Sequence, residues 1–275
     1  MILSVGTLMG PRGGGVPSSV SAEVQSVFNR MSALTVTEEG SIETFVDGLV
    51  AAGLYNDITE IYAPCFNATD YLTGFKFMTL VNSEQVPVHT AGEYVEFQNN
   101  NQHLLDPQNM DTFSTLDGFM GCYNVFTDVD TTNNSDLFGV EDASQICYYR
   151  WRGDDTDDFN AQYNVTDLIP RTTSSVRPNI DFVGFGLGGT DQIELVVGGS
   201  VVRATRVRNA TVPKVDCQWH GHNINGVPAA GNMSNSRYSF MIHANGLWSD
   251  GDIVSLRALV LQFLRDIGVT GIPVT

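Results

Sequence analysis

The stretch CQWHGHNING, Cys217 to Gly226, sets two histidines two residues apart beside a cysteine and a tryptophan. On a continuous strand His220 and His222 point to one face, as a pair of metal ligands would. A catalytic zinc needs a third protein ligand and a hydrogen-bonding partner behind each ring. His89, His103 and His243 supply no ligand spacing that would complete the set. The stretch therefore reads as a strand running into an Asn225-Gly226 turn, and no metal is expected there.

Two acidic clusters invite the same question. Asp128, Asp130, Asn134 and Asp136 resemble part of a calcium loop, and Asp154, Asp155, Asp157 and Asp158 form a second group. The glycine of the sharp turn and the closing glutamate are missing from the first. Solvated loops are the expectation, no cofactor is expected, and calcium is the one ion left as an alternative. Hydrolytic signatures are absent too. Gly199-Ser200 sits in a hairpin context, not in a strand-to-helix nucleophile elbow. Glu93, Glu96, Glu141 and Asp142 do not form the paired carboxyls that flank a glycosidic bond.

Aromatic residues offer a binding chemistry instead. In Tyr148-Tyr149-Arg150-Trp151-Arg152, a period of two puts Tyr149 and Trp151 on one face. Such faces stack on the apolar side of sugar rings, and equally they fill sandwich cores. Core packing is the commoner use. The candidate ligand-binding set is Tyr149, Trp151, Trp219 and His222, and no residue is expected to be catalytic.

These residues need a scaffold, and composition bounds it. The chain has 275 residues, 42% hydrophobic and only 16% charged, which suits one large globular unit. Its 31 acidic against 14 basic residues leave a net charge of -17. That charge repels phosphate backbones and anionic headgroups, so neither nucleic acid nor membrane is an expected partner. No apolar run is long enough to span a bilayer, and MILSVGTLMG lacks the basic flank of a signal peptide. The sequons at Asn67, Asn133, Asn164, Asn209 and Asn232 are accordingly read as chance. Cys65, Cys122, Cys147 and Cys217 form no Cys-x-x-Cys pair, and buried thiols are expected for a protein made in a reducing cytosol.

Residues 1–20, rich in Gly, Pro and Ser, read as an extended arm. Ser21 caps a first helix carrying Val24, Val27, Phe28 and Met31. Thr37 is the expected cap of a second, with Ile42, Phe45, Val46, Leu49 and Val50 as its stripe and Gly53 as its stop. Ile58, Ile61 and Tyr62 suggest a further short turn or strand. From about residue 76 short β stretches such as EYVEFQ, SQICYYRWR and QIELVV alternate with Gly, Asn and Asp clusters. Gly198-Gly199 marks a tight hairpin. Strands without intervening helices predict an antiparallel sandwich. A last helix follows, with a Ser249/Asp252 capping box, a face of Ile253, Leu256, Val260, Phe263 and Ile267, and an end at Gly268. It is expected to cover one end of the sandwich.

Several long segments then carry a resemblance. RMSALTVTEEGSIETFVDGLVAAGLYNDITEIY, LVNSEQVPVHTAGEYVEFQNNNQHLLDP, DFVGFGLGG, IELVVGGSVVRATRVRNATVP, HGHNINGVPAAG and SFMIHANGLWSDGDIVSLRALVLQFLRDIGV resemble a group of tailed-bacteriophage virion proteins. In that group a helical segment precedes a concanavalin A-like, laminin-G-like jelly roll. The resemblance covers nearly everything after residue 20, and its motifs are structural. It implies a mainly β chain: an arm over 1–20, a helical anchor over 21–64, and a β-sandwich over 65–275 closed by the C-terminal helix. It also implies a non-enzymatic virion surface protein, made in the host cytoplasm and present in many copies as a homo-oligomer. The arm and the two helices, packed on the sandwich or on a neighbour, would hold other virion proteins, and the sandwich would recognise host-surface glycan from the tail or baseplate. Alternatives are a head decoration protein that stabilises the capsid, an enzyme that trims host polysaccharide, and a cellular lectin-like adhesin.

Overall fold

The computed structural model describes residues 20–82, 85–98, 102–109, 118–126, 134–142, 145–152, 158–163, 181–188, 192–198, 200–205, 215–229, 235–245 and 248–274. The expected arm, apart from Val20, lies outside them. The chain begins with helices α1 (Ala22–Arg30) and α2 (Val36–Ala51) and strand β1 (Ile58–Tyr62). Strands β2 (Val81–Asn82), β3 (Val88–Thr90), β4 (Tyr94–Phe97), β5 (Leu104–Asn109), β6 (Gly118–Phe126) and β7 (Asn134–Asp142) follow. Next come β8 (Gln145–Arg152), β9 (Asp158–Tyr163), β10 (Asp181–Gly188), β11 (Gln192–Val197) and β12 (Ser200–Thr205). The last elements are β13 (Asp216–Trp219), β14 (His222–Ile224), β15 (Val227–Ala229), β16 (Ser236–Ala244) and helix α3 (Asp250–Ile267).

Local sequence accounts for the helix ends. Ser21 Oγ accepts from Val24 N at 3.4 Å, and Ser249 with Asp252 closes a reciprocal box at the start of α3. The start of α2 differs from expectation: Thr35, not Thr37, is the cap. Thr35 Oγ1 accepts from Glu38 N, and Glu38 Oε2 accepts from Thr35 N at 2.7 Å. Glu38 can return that bond only from the third helical position, which places the cap three residues before it. Gly268, at φ 103, ends α3 in the left-handed conformation that a Cβ disfavours.

The strands form two eight-stranded sheets. Sheet I runs β12-β11-β10-β6-β16-β4-β3, and β1 pairs with the second half of β16, from Ile58↔Ala244 to Tyr62↔Met241. Sheet II runs β15-β14-β7-β13-β5-β2, with β8 and β9 added on the other edge of β7. The named strands pair antiparallel except β14 on β7, and the isolated bridge Gln85↔Gln102 is also parallel. This is the expected mainly β, antiparallel sandwich of jelly-roll type with N-terminal helices and a C-terminal helix.

α1 and α2 pack on the sandwich, one of the two placements expected for them, and α3 lies elsewhere than expected. α3 does not cap one end: with α1 and α2 it covers the outer face of sheet I. Val24, Val27, Ile42, Phe45, Leu49, Leu256, Val260 and Phe263 share one core with Phe119, Phe240 and Ile242 of that sheet. Phe45 stacks on Phe263 at 4.7 Å and meets Phe240 edge-on at 5.7 Å. A Cβ on Gly48 would lie 2.5 Å from Leu259 Cδ2, so the glycine lets α2 and α3 approach. β1 is a strand of the sheet although it precedes residue 65, where the sandwich was expected to begin.

Sheet I is therefore buried on both faces. Along β16, Phe240, Ile242 and Ala244 face the helices, while Tyr238 and Met241 face sheet II. A bulge between Tyr238 and Phe240 resets the alternation. In the neighbouring pair Gly121 stands opposite Gly184. A Cβ on Gly184 would lie 2.5 Å from Phe119 Cζ, and one on Gly121 would lie 2.7 Å from Phe182 Cζ. The two glycines make room for those rings.

Between the sheets, Leu104, Phe138, Val140, Trp219, Val95 and Phe97 form a second core. Asp106 of β5 lies within it at 0% exposure. Tyr62 Oη donates to its Oδ1 at 2.9 Å, Trp219 Nε1 donates to Oδ2 at 3.4 Å, and His243 Nε2 lies 2.8 Å from Oδ2. Tyr62 and His243 come from sheet I, whereas Asp106 and Trp219 come from sheet II. The carboxylate thus ties the layers together. Burial, and next the neighbouring Asp106, push the Tyr62 phenol far above its ordinary range, so it remains a donor.

Two outcomes follow from these buried groups. Asp106→Ala leaves donors without an acceptor in a dry core and should cost about 3–5 kcal/mol in urea denaturation. A loss below about 1 kcal/mol would remove the tie from the fold's support. The second concerns alkaline pH. Burial raises the thiols of Cys65 and Cys122 above their ordinary 9.0, and the phenol of Tyr62 above its ordinary 10.0. Above those values the unfolded chain releases protons that the folded chain keeps. Under reducing conditions these groups should add no slope below about pH 9 and then lower stability by about 1.4 kcal/mol per pH unit for each group titrating. Urea midpoints measured from pH 8 to 11, with a Cys122→Ala variant showing a shallower fall, check this.

Candidate functional site

The site best formed among the described residues lies where the loop after β1 meets α1. Gly74 bridges to Tyr62, Thr73 bridges to Thr79, and Gly74 N donates to Met78 O at 2.9 Å. The loop closes around a buried carboxylate. Glu60, at 0% exposure, accepts from Lys76 N at 2.7 Å, Phe77 N at 2.6 Å, Met78 N at 2.7 Å and Ile61 N at 3.0 Å. Consecutive amides converging on one anion form a nest, in which the backbone satisfies a charge that burial would otherwise penalise. From α1, Arg30 donates to Gly74 O and Met78 O, each at 2.8 Å. Gly74 is required by the close approach, because a Cβ there would lie 2.6 Å from Glu60 Cδ.

The loop's alternation then sorts its side chains. Phe75 is buried in the core under the helices. Lys76 folds back, with Nζ donating to Tyr55 O at 2.6 Å and to Ile58 O, and lies 4.1 Å over the Tyr55 ring. Burial lowers its pKa below the usual lysine value, an effect the nearby Glu60 and Asp57 oppose. Phe77 is left at the tip, 72% exposed. Ala22, Glu23, Ser26, Tyr55, Lys76 and Phe77 line a shallow cleft of about 290 Å³. Burial, then Glu23 and Glu60, raise the Tyr55 phenol, so its hydroxyl keeps its proton at neutral pH. An aromatic edge beside a carboxylate and hydroxyl groups can hold a small polar ring through its apolar face and its hydroxyls.

The residues expected to bind ligand do not assemble a described site. Trp219 is corrected: at 0% exposure it lies between the sheets, edge-on to Phe138 at 5.3 Å and to His243 at 5.2 Å, beyond reach of a surface ligand. Tyr149 stands opposite Phe138 of β7 and Ala161 of β9, and Trp151 opposite Ser135 and Phe159. His222 pairs with Ala229. The side chains of Tyr149, Trp151 and His222 lie outside the described residues.

The histidine pair does not share one strand. His220 has φ 58 and Gly221 φ 136. There the chain passes from β13, antiparallel to β7, to β14, parallel to it. His220 stacks on Phe97 at 4.4 Å with Nδ1 3.0 Å from Ser236 Oγ. Asn225 and Gly226, at φ 52 and 84, form the expected turn between β14 and β15. Of the acidic clusters, Asn134 and Asp136 belong to β7 and Asp158 opens β9. Asp128, Asp130, Asp154, Asp155 and Asp157 lie outside the described residues. No group of three or more His, Cys, Asp or Glu among the described residues is placed to hold a metal ion.

Sequence reasoning passed over Tyr55, Glu60, Lys76 and Phe77. A signal was available in GFKFM, where one of the chain's two lysines stands between two phenylalanines. The Asp106 trio was also missed. An acid, a histidine and a tyrosine in contact suit proton transfer, but all three lie at 0% exposure, where no substrate reaches them.

No family model matches the chain, and no curated protein matches it. Solved structures do. Trypanosoma rangeli sialidase, as the covalent intermediate with 2,3-difluorosialic acid, is 13% identical with a TM-score of 0.60, over 84% of this chain and 39% of that one. The same sialidase in complex with sialic acid is 12% identical with a TM-score of 0.58, over 78% and 34%. The receptor binding domain of botulinum neurotoxin mosaic serotype C/D is 9% identical with a TM-score of 0.56, over 75% and 51%. The chain thus spans about half or less of each of these structures. At such identities the likeness is one of fold. It corrects the expectation of a chain without catalysis, because sialidases are enzymes and share this architecture. The antiparallel β-sandwich of jelly-roll type is what the chain has in common with these structures.

Proposed function

We propose that the chain is a surface component of a tailed-phage particle that recognises host glycan, and that the Tyr55–Phe77 cleft is where a sugar docks. The observation that carries the reading is Phe77, presented at 72% exposure by a loop whose amides are locked on Glu60. A pre-ordered aromatic loses little freedom on binding, which favours weak ligands such as single sugar rings. The resemblance to virion proteins supports the particle context. The sandwich shared with a structure described as a receptor binding domain and with one holding sialic acid supports the recognition role. In this reading residues 1–20 attach the protein to other virion proteins. α1 and α2 do not supply that attachment with their apolar stripes, which are spent on the core over sheet I apart from the exposed Val50, expected in the α2 stripe.

Binding of purified host-surface oligosaccharides, followed by saturation-transfer NMR on wild type and Phe77→Ala, tests the proposal. Phe77→Ala should weaken binding by roughly tenfold, the worth of one base-like or sugar-like stacking contact, with the unfolding midpoint unchanged. Binding that survives the substitution would move the site elsewhere, with Tyr149 and Trp151 the next residues to vary. A capsid that loses stability without the protein while adsorption stays normal would favour head decoration instead. Shortening of the polysaccharide during incubation would make the protein an enzyme acting on its ligand.

A further inference from the structure

We infer that the cleft selects by charge: it takes a pyranose carrying a free amino group and discriminates against acidic sugars. The inference rests on the glycan reading of the same cleft. Its one lining cation is already engaged, since Lys76 Nζ donates to Tyr55 O and Ile58 O and covers the Tyr55 ring. The Arg30 guanidinium is likewise held on Gly74 O and Met78 O. In both, the described donors are used on backbone carbonyls.

The anions are arranged otherwise. Glu23 lines the cleft, Glu60 lies behind the loop, and Asp57 is near enough to act on Lys76. Glu23 and Glu60 both act on Tyr55. Glu60 is fully committed to backbone amides, so Glu23 is the carboxylate that meets the ligand. A ring stacked on Phe77 with an ammonium substituent toward α1 would satisfy Glu23, whereas a carboxylate in that place would face it. The chain's net charge of -17 adds a field of the same sign.

Three short oligosaccharides separate the terms: a glucosamine disaccharide with free amines, its N-acetylated counterpart, and a sialylated trisaccharide. The expected order of affinity in low salt is amino, then N-acetyl, then sialylated. The steps should be on the order of fivefold each, the worth of one exposed charge contact. Glu23→Gln should abolish the preference for the amine over the N-acetyl sugar, and Phe77→Ala should weaken both. Tight binding of the sialylated sugar, lost with Phe77→Ala, overturns the charge selection and leaves the glycan reading standing. An amine preference unchanged in Glu23→Gln overturns it also, because the attraction would then belong to net charge alone. Failure of all three sugars to bind overturns the glycan reading and this inference together.

Discussion

A sheet buried on both faces cannot be stabilised from one side, and sheet I is such a sheet. Phe240 and Ile242 of β16 need the helices, while Tyr238 and Met241 need sheet II. Alternation along a single strand therefore fixes a three-layer arrangement of helices, sheet and sheet. Apolar contact alone would let the two sheets slide. The Asp106 carboxylate, holding Tyr62 from one layer and Trp219 from the other, specifies one alignment. Buried polar groups of this kind contribute register more than net stability.

A second buried carboxylate does comparable work at the edge. Glu60 lies two residues before Tyr62 on β1, so one short strand supplies both the phenol that reaches Asp106 and the acid that shapes the loop. The outer face of the protein acquires a displayed phenylalanine because its interior acquires a charge. The fold thus connects the core to the cleft without any element dedicated to the task.

Much of the fold was legible because its signals are local. Ser21, the Ser249/Asp252 box, Gly268 and the Asn225-Gly226 turn each act within a few residues, and periodicity identified the helices and the β character. The miss at Thr35 came from ranking candidate caps by position when reciprocal bonding to Glu38 decides. What was not legible is pairing across distance. Nothing near Ile58 shows that its partner is Ala244, and nothing near His220 shows that the strand must reverse there. The same limit hid the cleft: Glu60 and residues 76–78 are joined by side chain-to-backbone bonds that leave no periodic trace. Trp219 was misplaced because an aromatic on a strand reads alike whether it faces solvent or a second sheet.

The pairing of β1 with β16, together with the packing of α2 on α3, has a consequence during synthesis. α2 and β1 complete their packing only once α3 and β16, far downstream in the sequence, have been made. Until then Phe45 lacks Phe240 and Phe263, and the nascent chain carries that exposed apolar area while the intervening strands are made. Such long-range closure slows acquisition of the native state and invites association with other unfinished chains.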